Sequence, residues 1–139
     1  MPDEIVVDAS VAAKVYFFED GSEAARELLT SNLFVSAPDL LFIEMASVAS
    51  KRVRRGLSTD QRAAAAVEAV GELIDFIAPL KSLSVRAFAL ACEFGFSAYD
   101  GAYLALAEER GARVVTADLK LLRRATEAGL SDLVHPLIT

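Results

Sequence analysis

Residues 97–118, SAYDGAYLALAEERGARVVTAD, contain the pattern that decides the fold. A largely apolar stretch of helical length, residues 99–110, ends at Gly111, a residue type that commonly terminates helices. A short β-branched run follows at 113–116, and Asp118 stands just beyond it. A helix that leads within a few residues into a buried strand is the repeating unit of an α/β protein with a parallel sheet.

The same alternation extends outward to both ends of the chain. Short apolar runs predict three further strands at 5–7, 33–35 and 76–78, in addition to 113–116. Helical periodicity predicts helices at 9–17, 22–30, 38–55, from about 58, and at 83–94, 99–110 and 119–128. Pro38 suits a first helical turn, and Ser58-Thr59-Asp60-Gln61 fits a capping box. We therefore expect residues 1–139 to form one α/β domain.

The composition restricts the chemistry that the chain can perform. With 139 residues, 54% of them hydrophobic, the chain can bury a substantial core. One cysteine and one histidine exclude an internal disulfide and a Cys/His zinc cluster, so any metal must rest on oxygen ligands. We expect Cys92 to be a buried, inert helix residue and His135 to be structural.

The sequence shows no targeting or membrane segment. The acidic start, residues 1–4, lacks the basic region and the long apolar stretch of a signal peptide. Charged residues interrupt the apolar runs before they reach the roughly 18 residues that a membrane span needs. We expect a cytoplasmic protein.

The net charge of −6 argues at first against a nucleic-acid partner, because phosphate backbones favour a basic surface. Many of the basic residues are nevertheless grouped, one group at the end of the third predicted helix and the other near the C-terminus. They are Lys51, Arg52, Arg54 and Arg55, and then Arg110, Arg113, Lys120, Arg123 and Arg124. These groups could hold a nucleic-acid backbone or simply be solvated helix faces.

Four acidic residues stand among apolar neighbours, where a lone carboxylate is costly to bury: Asp8, Glu44, Asp100 and Asp118. Asp8 closes the first predicted strand and Asp118 follows the fourth, so both are expected at the carboxyl edge of the sheet. Asp100, at the start of its helix, can reach the same crevice, and Glu44 can approach from the flank of the third helix. Oxygen ligands in this number suit Mg²⁺ or Mn²⁺ better than zinc.

Each acid also has a structural explanation. Asp8 and Asp118 could cap the helices that follow them, and Ser97-Ala98-Tyr99-Asp100 has the form of a capping box. Glu44 lies about six residues inside a helix, where capping cannot account for it, but an ion pair with a lysine or arginine could. Metal binding is the one explanation that covers all four acids.

Three motifs carry a resemblance to a known family: Val6-Val7-Asp8-Ala9-Ser10, residues 38–44 (PDLLFIE), and, most specifically, 97–107 followed by 111–118. With them the sequence resembles the PIN-domain ribonucleases, and more narrowly the VapC-like toxins of bacterial toxin–antitoxin pairs, over nearly its whole length. The metal-binding acids of the family pattern match Asp8, Glu44, Asp100 and Asp118, and Ser10 and Thr116 match polar positions beside them. Gly101 stands where alanine is commoner in the family. The sequence has no clear fifth acid, so it does not decide whether the site holds one metal ion or two.

The resemblance implies a PIN-like three-layer α/β/α fold with a short parallel central sheet and helices on both faces. It implies a Mg²⁺- or Mn²⁺-dependent endoribonuclease that hydrolyses RNA phosphodiester bonds and leaves a 5′-phosphate and a 3′-hydroxyl. Basic side chains such as Arg52, Arg55 and Arg124 are candidates to hold the RNA backbone.

The resemblance also implies a homodimer and a VapB-like antitoxin partner. The third predicted helix carries four apolar residues besides Glu44: Leu40, Leu41, Met45 and Val48. Together with the following helix, 58–75, it could form a hairpin whose outer groove accepts an amphipathic antitoxin helix. An inhibitor that enters the acidic crevice would favour an arginine. The hairpin could instead serve only the core or the homodimer.

Two other functions compete with this interpretation. A non-catalytic PIN-like module could bind RNA or a protein, although the presence of all four acids argues against a degenerate domain. An acid-rich phosphoryl-transfer domain is the second alternative. Enzymes with an aspartyl nucleophile need a second aspartate two positions on, where this chain has Ser10.

Overall fold

Strands and helices alternate along the chain in the computed structural model, which describes residues 3–138. The strands in that range are β1 Glu4–Val7, β2 Phe34–Pro38, β3 Phe76–Ala78, β4 Arg113–Thr116 and β5 Val134–Pro136. The α-helices are α1 Ala9–Tyr16, α2 Ser22–Leu29, α3 Leu40–Arg54, α4 Asp60–Ala69, α5 Leu80–Phe94, α6 Ala98–Arg110 and α7 Leu119–Glu127. Short 3₁₀ helices occur at Val70–Leu73 and Ser131–Leu133. Met1, Pro2 and Thr139 lie outside the described residues, and with them the first half of the acidic start.

The strands form one parallel sheet in the order β3-β2-β1-β4-β5. From β1 the chain proceeds outward through β2 to β3, and it then returns to place β4 on the other side of β1. The strand order therefore reverses between β1 and β4. In open sheets of this kind a crevice lies at the reversal, outside the carboxyl ends of the strands.

Helices cover both faces of the sheet, which confirms the expected three-layer arrangement. Val6 and Val114 pack with residues of α5, α6 and α7, whereas the residues that follow them, Val7 and Val115, pack with α1 and α2. The α3–α4 pair packs against α1 in a further apolar cluster. Successive strand residues point to opposite faces, and because both faces are buried the strands are continuous apolar runs.

Two expectations about strands are wrong. Pro38 ends β2 instead of opening a helix, because the extended backbone stays in register with β3 as far as Ala78. The Asp39 N–H still donates to the Ala78 carbonyl at 2.9 Å, and the helix begins only at Leu40. The sequence did not predict β5, which is three residues long and contains Pro136. Proline is tolerated in such an edge strand, but it removes the sequence signal.

Two local expectations about side chains also need correction. Cys92 is exposed rather than buried. The cap of α4 is Thr59, whose hydroxyl accepts from the Arg62 N–H at 3.2 Å, rather than Ser58. Among residues 3–138, no helix has both the length and the apolar character to cross a membrane.

Gly101, the departure from the family pattern, lies where α5 and α6 approach each other closely. A Cβ atom added at this position would lie 2.7 Å from the Ala87 carbonyl oxygen and 3.1 Å from the Ala87 Cα. Both are backbone atoms that cannot rotate away, so an alanine would push the two helices apart. Gly101 directly follows Asp100, and this close packing therefore fixes the helix start that carries the acid.

Candidate functional site

The Asp8 carboxylate is the buried centre of the candidate site, with an exposed fraction of 8%. Ser10 Oγ donates to Asp8 Oδ1 at 2.6 Å, and the Val11 N–H donates to the same oxygen at 3.3 Å. Thr116 Oγ1, at the end of β4, donates to Asp8 Oδ2. These bonds give both carboxylate oxygens a partner. They also join the end of β1 to the end of β4 across the point where the strand order reverses.

Ser10 and Thr116 also hold the segment that carries Asp118. The Ala117 N–H donates to Ser10 Oγ at 2.9 Å, and the Asp118 N–H donates to Thr116 Oγ1 at 3.0 Å. The two hydroxyl oxygens are themselves 3.3 Å apart. The polar residues expected beside the acids therefore contact Asp8 and the backbone of Asp118 together.

Three of the four acids lie at helix starts, as the structural alternative expected. Asp8 caps α1, and Asp118 Oδ1 caps α7 by accepting from the Lys120 N–H at 2.9 Å. At α6 the cap is Ser97, whose hydroxyl accepts from the Asp100 N–H at 3.0 Å. Capping does not exclude a shared site, because these helix starts bring the acids into electrostatic contact.

Glu44 reaches the site from α3 and is held there by Tyr103. Tyr103 Oη donates to Glu44 Oε1 at 2.5 Å, and Tyr103 is only 2% exposed. None of the ion pairs among the described residues involves Glu44, so the alternative of a lysine or arginine partner is not what the structure shows. Sequence reasoning missed Tyr103. The available signal was its position one helical turn after Asp100, since a buried tyrosine hydroxyl usually needs a partner.

The four carboxylates are electrostatic neighbours. Burial raises the pKa of Asp8, and the charge of Asp118 acts in the same direction. Burial raises the pKa of Glu44, with a contribution from the charges of Asp8 and Asp100. Burial and the charge of Asp118 raise the pKa of Asp100. The charged forms of these acids therefore disfavour one another.

The acids surround one edge of the sheet but do not converge on a common point. Within residues 3–138, no three His, Cys, Asp or Glu side chains are placed closely enough to hold a metal ion. Like charges repel, and oxygens of Asp8, Glu44 and Asp118 accept from hydroxyl or backbone donors instead. The role of the four acids as metal ligands therefore stays a prediction.

The donor set nevertheless fits the chemistry of a hard divalent cation. Carboxylates and hydroxyls are the groups that Mg²⁺ and Mn²⁺ prefer. A cation would also offset the mutual repulsion that raises the pKa of Asp8, Glu44 and Asp100. Zinc is less suited to this set, because none of the hydrogen-bond partners of these acids among the described residues is a thiol or an imidazole.

Arg52, Arg55 and Arg124 are the candidates to bind an RNA backbone, and of these Arg124 is the one whose charge acts on an acid of the site. Burial is the main cause of the raised pKa of Asp100, and the charge of Arg124 acts in the opposite direction. Arg52 is paired with Glu19 at 2.9 Å and not with any of the four acids. Arg55 follows the last residue of α3 and is exposed.

The sequence is similar to known proteins over most of its length. Residues 5–127 match the family model described as PIN domain. The chain is 36% identical over 126 residues to Ribonuclease VapC3 of Pyrobaculum aerophilum, a match that covers 87% of this chain and 94% of that protein.

Two solved structures share the fold. VapC20 of Mycobacterium tuberculosis, described as a Sarcin-Ricin loop cleaving toxin, has a TM-score of 0.66 at 19% identity, covering 86% of this chain and 93% of that one. A toxin–antitoxin complex from Klebsiella pneumoniae contains a chain with a TM-score of 0.57 at 18% identity, covering 85% of this chain and 89% of that one. At these identities the likeness concerns the fold alone.

We expect Glu44→Gln to stabilise the metal-free protein at pH 7 by roughly 0.5–1 kcal/mol, a range discounted for solvent screening. The change removes a charge that its neighbours disfavour and keeps an oxygen that can accept from Tyr103. The folded pKa of Glu44 is raised, so the folded wild type binds its proton more readily than the unfolded chain and gains stability as the pH falls through that pKa. The advantage of the variant should therefore shrink with falling pH, as measured by urea denaturation at pH 7 and pH 5.

The matched control is Glu68→Gln, the same change at an exposed position of α4, with an expected effect close to zero. A Glu44→Gln variant that is less stable than the wild type at both pH values would show that Glu44 is a net stabilising group and not a strained one.

Proposed function

The chain belongs to the PIN-domain family, and on that premise we propose that it is the toxin of a toxin–antitoxin pair, an endoribonuclease that hydrolyses RNA phosphodiester bonds with Mg²⁺ or Mn²⁺. The observation that carries the proposal is the group of four mutually coupled acids at the reversal of the strand order. The identity of 36% to a ribonuclease over most of the chain supports the same activity. In this proposal Asp8, Glu44, Asp100 and Asp118 would hold the cation.

A divalent cation, when bound, neutralises the carboxylates, screens the charge of the phosphate and makes water more acidic. The residues of the chain do the positioning. Ser10 and Thr116 hold the Asp8 carboxylate at the end of β1, and Tyr103 holds the Glu44 carboxylate, which comes from α3. Without a neutralising charge this acidic edge would repel a phosphate, so substrate binding and cation binding depend on each other.

Arg124 is the residue that we propose for contact with the RNA backbone beside the acids. Its charge already acts on Asp100, and a guanidinium group can bind a phosphate through two parallel hydrogen bonds. Arg52 is less suited to this role, because Glu19 accepts one of its hydrogen bonds and offsets its charge.

Two alternatives receive less support. An aspartyl-phosphate mechanism would need a second carboxylate two positions after Asp8, and Ser10 occupies that position and donates to Asp8. A non-catalytic module would not need the four acids together with the hydroxyl groups that hold them. The proposal therefore keeps hydrolysis as the activity.

A VapB-like antitoxin is the proposed partner, and the α3–α4 hairpin offers a groove for it. Three of the expected anchors, Leu40, Leu41 and Met45, are buried in the core and are not available. Mostly small or apolar side chains line the groove: Ala46, Ala49, Ser50, Val53, Arg54, Asp60, Ala63, Ala64 and Val67. Alanines on both helices would let the backbone of a docked helix approach closely.

We further propose that the toxin acts in the cytoplasm, where its RNA substrate is found, and that it forms a homodimer. Family likeness is the support for both statements.

We expect RNA cleavage to require added Mg²⁺ or Mn²⁺ and to stop when EDTA is added. Mn²⁺ at 100 times its Kd should stabilise the fold by about 2.7 kcal/mol, because a ligand that binds only the folded state shifts the equilibrium by mass action. Asp8→Asn, Glu44→Gln, Asp100→Asn and Asp118→Asn should each lower kcat/KM by roughly 100-fold or more, whereas Glu68→Gln should not. If both the melting temperature and the cleavage rate are indifferent to metal, the proposed site is wrong.

We expect Tyr103→Phe to stay folded and to lower cleavage by about 10- to 100-fold at limiting metal, because Glu44 loses the donor that holds it. Higher Mn²⁺ concentrations should recover part of the loss. Tyr16→Phe is the matched control, since the Tyr16 hydroxyl donates to the Ala69 carbonyl at 3.0 Å and not to any of the four acids. Equal metal dependence of the two variants and the wild type would remove Tyr103 from the site.

We expect Ala64→Glu to prevent co-purification of this chain with the protein encoded beside it, because the change places a charge in the α3–α4 groove. The RNase activity of the isolated variant should be unchanged. Ala65→Glu is the matched control, an exposed position one residue further along α4 that does not line the groove. Equal binding by both variants would exclude this groove, and no binding by the wild type would exclude that partner.

A further inference from the structure

A groove of about 630 Å³ opens beside the candidate site, at the carboxyl ends of β4 and β5. Thr116 and Ala117 form part of its lining, and these residues contact Asp8 and Ser10, respectively. Its volume lies within the roughly 300–1,000 Å³ of small-ligand sites. Whatever occupies this groove is therefore an immediate neighbour of the four acids.

Among the described residues that line this groove, Lys14 is the basic one. Its Nζ donates to Glu19 Oε1 at 3.2 Å and to the Asp20 backbone carbonyl at 2.7 Å. The other carboxylate oxygen of Glu19 accepts from Arg52 Nη1 at 2.9 Å. Two cations thus share the Glu19 carboxylate. If Lys14 turns towards a phosphate, Glu19 keeps Arg52 as its partner.

The groove also has an apolar part of its lining, which comes from Leu119, Leu122, Pro136 and Leu137. Leu119 directly follows Asp118 and is 72% exposed, so its side chain is accessible to a ligand in the groove. Asp20 is the acid in the lining, and its backbone carbonyl orients Lys14. The groove thus offers one ammonium group and several apolar side chains. A nucleotide could use both, because it has a charged phosphate and a flat, largely apolar base.

We propose that this groove binds the nucleotide next to the scissile phosphate of a single-stranded RNA, with Lys14 on its phosphate and Leu119 and Leu122 against its base. The inference rests on the proposed ribonuclease function and adds a subsite to it. Leucine side chains that pack on the flat face of a base do not contact its hydrogen-bonding edge. This subsite therefore accepts different bases.

The test compares RNA binding and cleavage by Lys14→Gln, Lys14→Arg and Lys81→Gln over a range of salt concentrations. Lys81 is the matched control, because it lies in the first turn of α5, after β3, at the opposite end of the sheet from the groove. For Lys14→Gln we expect a KM about 10-fold higher with little change in kcat. The slope of log Kd against log salt should fall by about 0.7, the contribution of one phosphate contact on a single strand. Lys14→Arg should restore most of both, and Lys81→Gln should resemble the wild type.

A second variant tests the groove by a gain of affinity, which misfolding cannot produce. Leu119→Arg adds a cation to the apolar part of the lining and should tighten RNA binding and steepen the salt dependence. Val85→Arg adds the same charge at a site on α5 that is 81% exposed and outside the groove, and it should do neither.

Equal salt slopes for Lys14→Gln and Lys81→Gln, in an enzyme that cleaves RNA, would overturn the subsite and leave the ribonuclease function standing. RNA binding that depends on Lys14 without any cleavage in Mn²⁺ would instead support the groove and reject the nuclease. A wild-type protein that neither binds nor cleaves RNA would reject both.

Discussion

The bond between the buried Asp8 carboxylate and Thr116 is the interaction on which the rest of the site depends. It connects the central strand β1 to β4, the strand that the chain reaches only after it has passed through β2 and β3. Ser10 completes the connection by donating to Asp8 and accepting from Ala117. A carboxylate with so little exposure is costly to bury without such partners. The same hydroxyls that satisfy it also place Asp118 beside it.

The two ends of β1 show how differently the fold treats its acids. At the amino end, Glu4 accepts from Arg110 and from Ser36, each at 2.6 Å, and these bonds lower its pKa although burial acts in the opposite direction. Arg110 in turn lies 4.5 Å from the centroid of the Phe76 ring. At the carboxyl end, Asp8 has hydroxyl and amide donors but no cationic partner among the described residues, and its pKa is raised. Glu4 thus forms an ion pair that ties β1 to the end of α6, whereas Asp8 is an acid that we propose as a cation ligand.

Much of the fold and of the site could be predicted from local sequence patterns. Asp8 and Asp118 follow strands and Asp100 opens a helix, so the rule that parallel strands end at one edge was enough to bring them together. Glu44 could be singled out because no cap explains an acid in the interior of a helix. The contact with Tyr103 could not be read in this way, since the two residues are 59 positions apart and meet only when α3 and α6 are placed. For the same reason local patterns place Pro38 in a helix, because its pairing with Ala78 of β3 is a long-range effect.

The central claim is that the four acids, distant in sequence, form one cation site at the reversal of the sheet. Anomalous diffraction from crystals grown with Mn²⁺ tests it most directly, because the signal locates the ion without relying on activity. We expect a peak enclosed by the carboxylates of Asp8, Glu44, Asp100 and Asp118, together with a small rotation of these side chains away from their present donors. A peak elsewhere, or no peak in crystals of a protein that cleaves RNA under the same conditions, would contradict the claim.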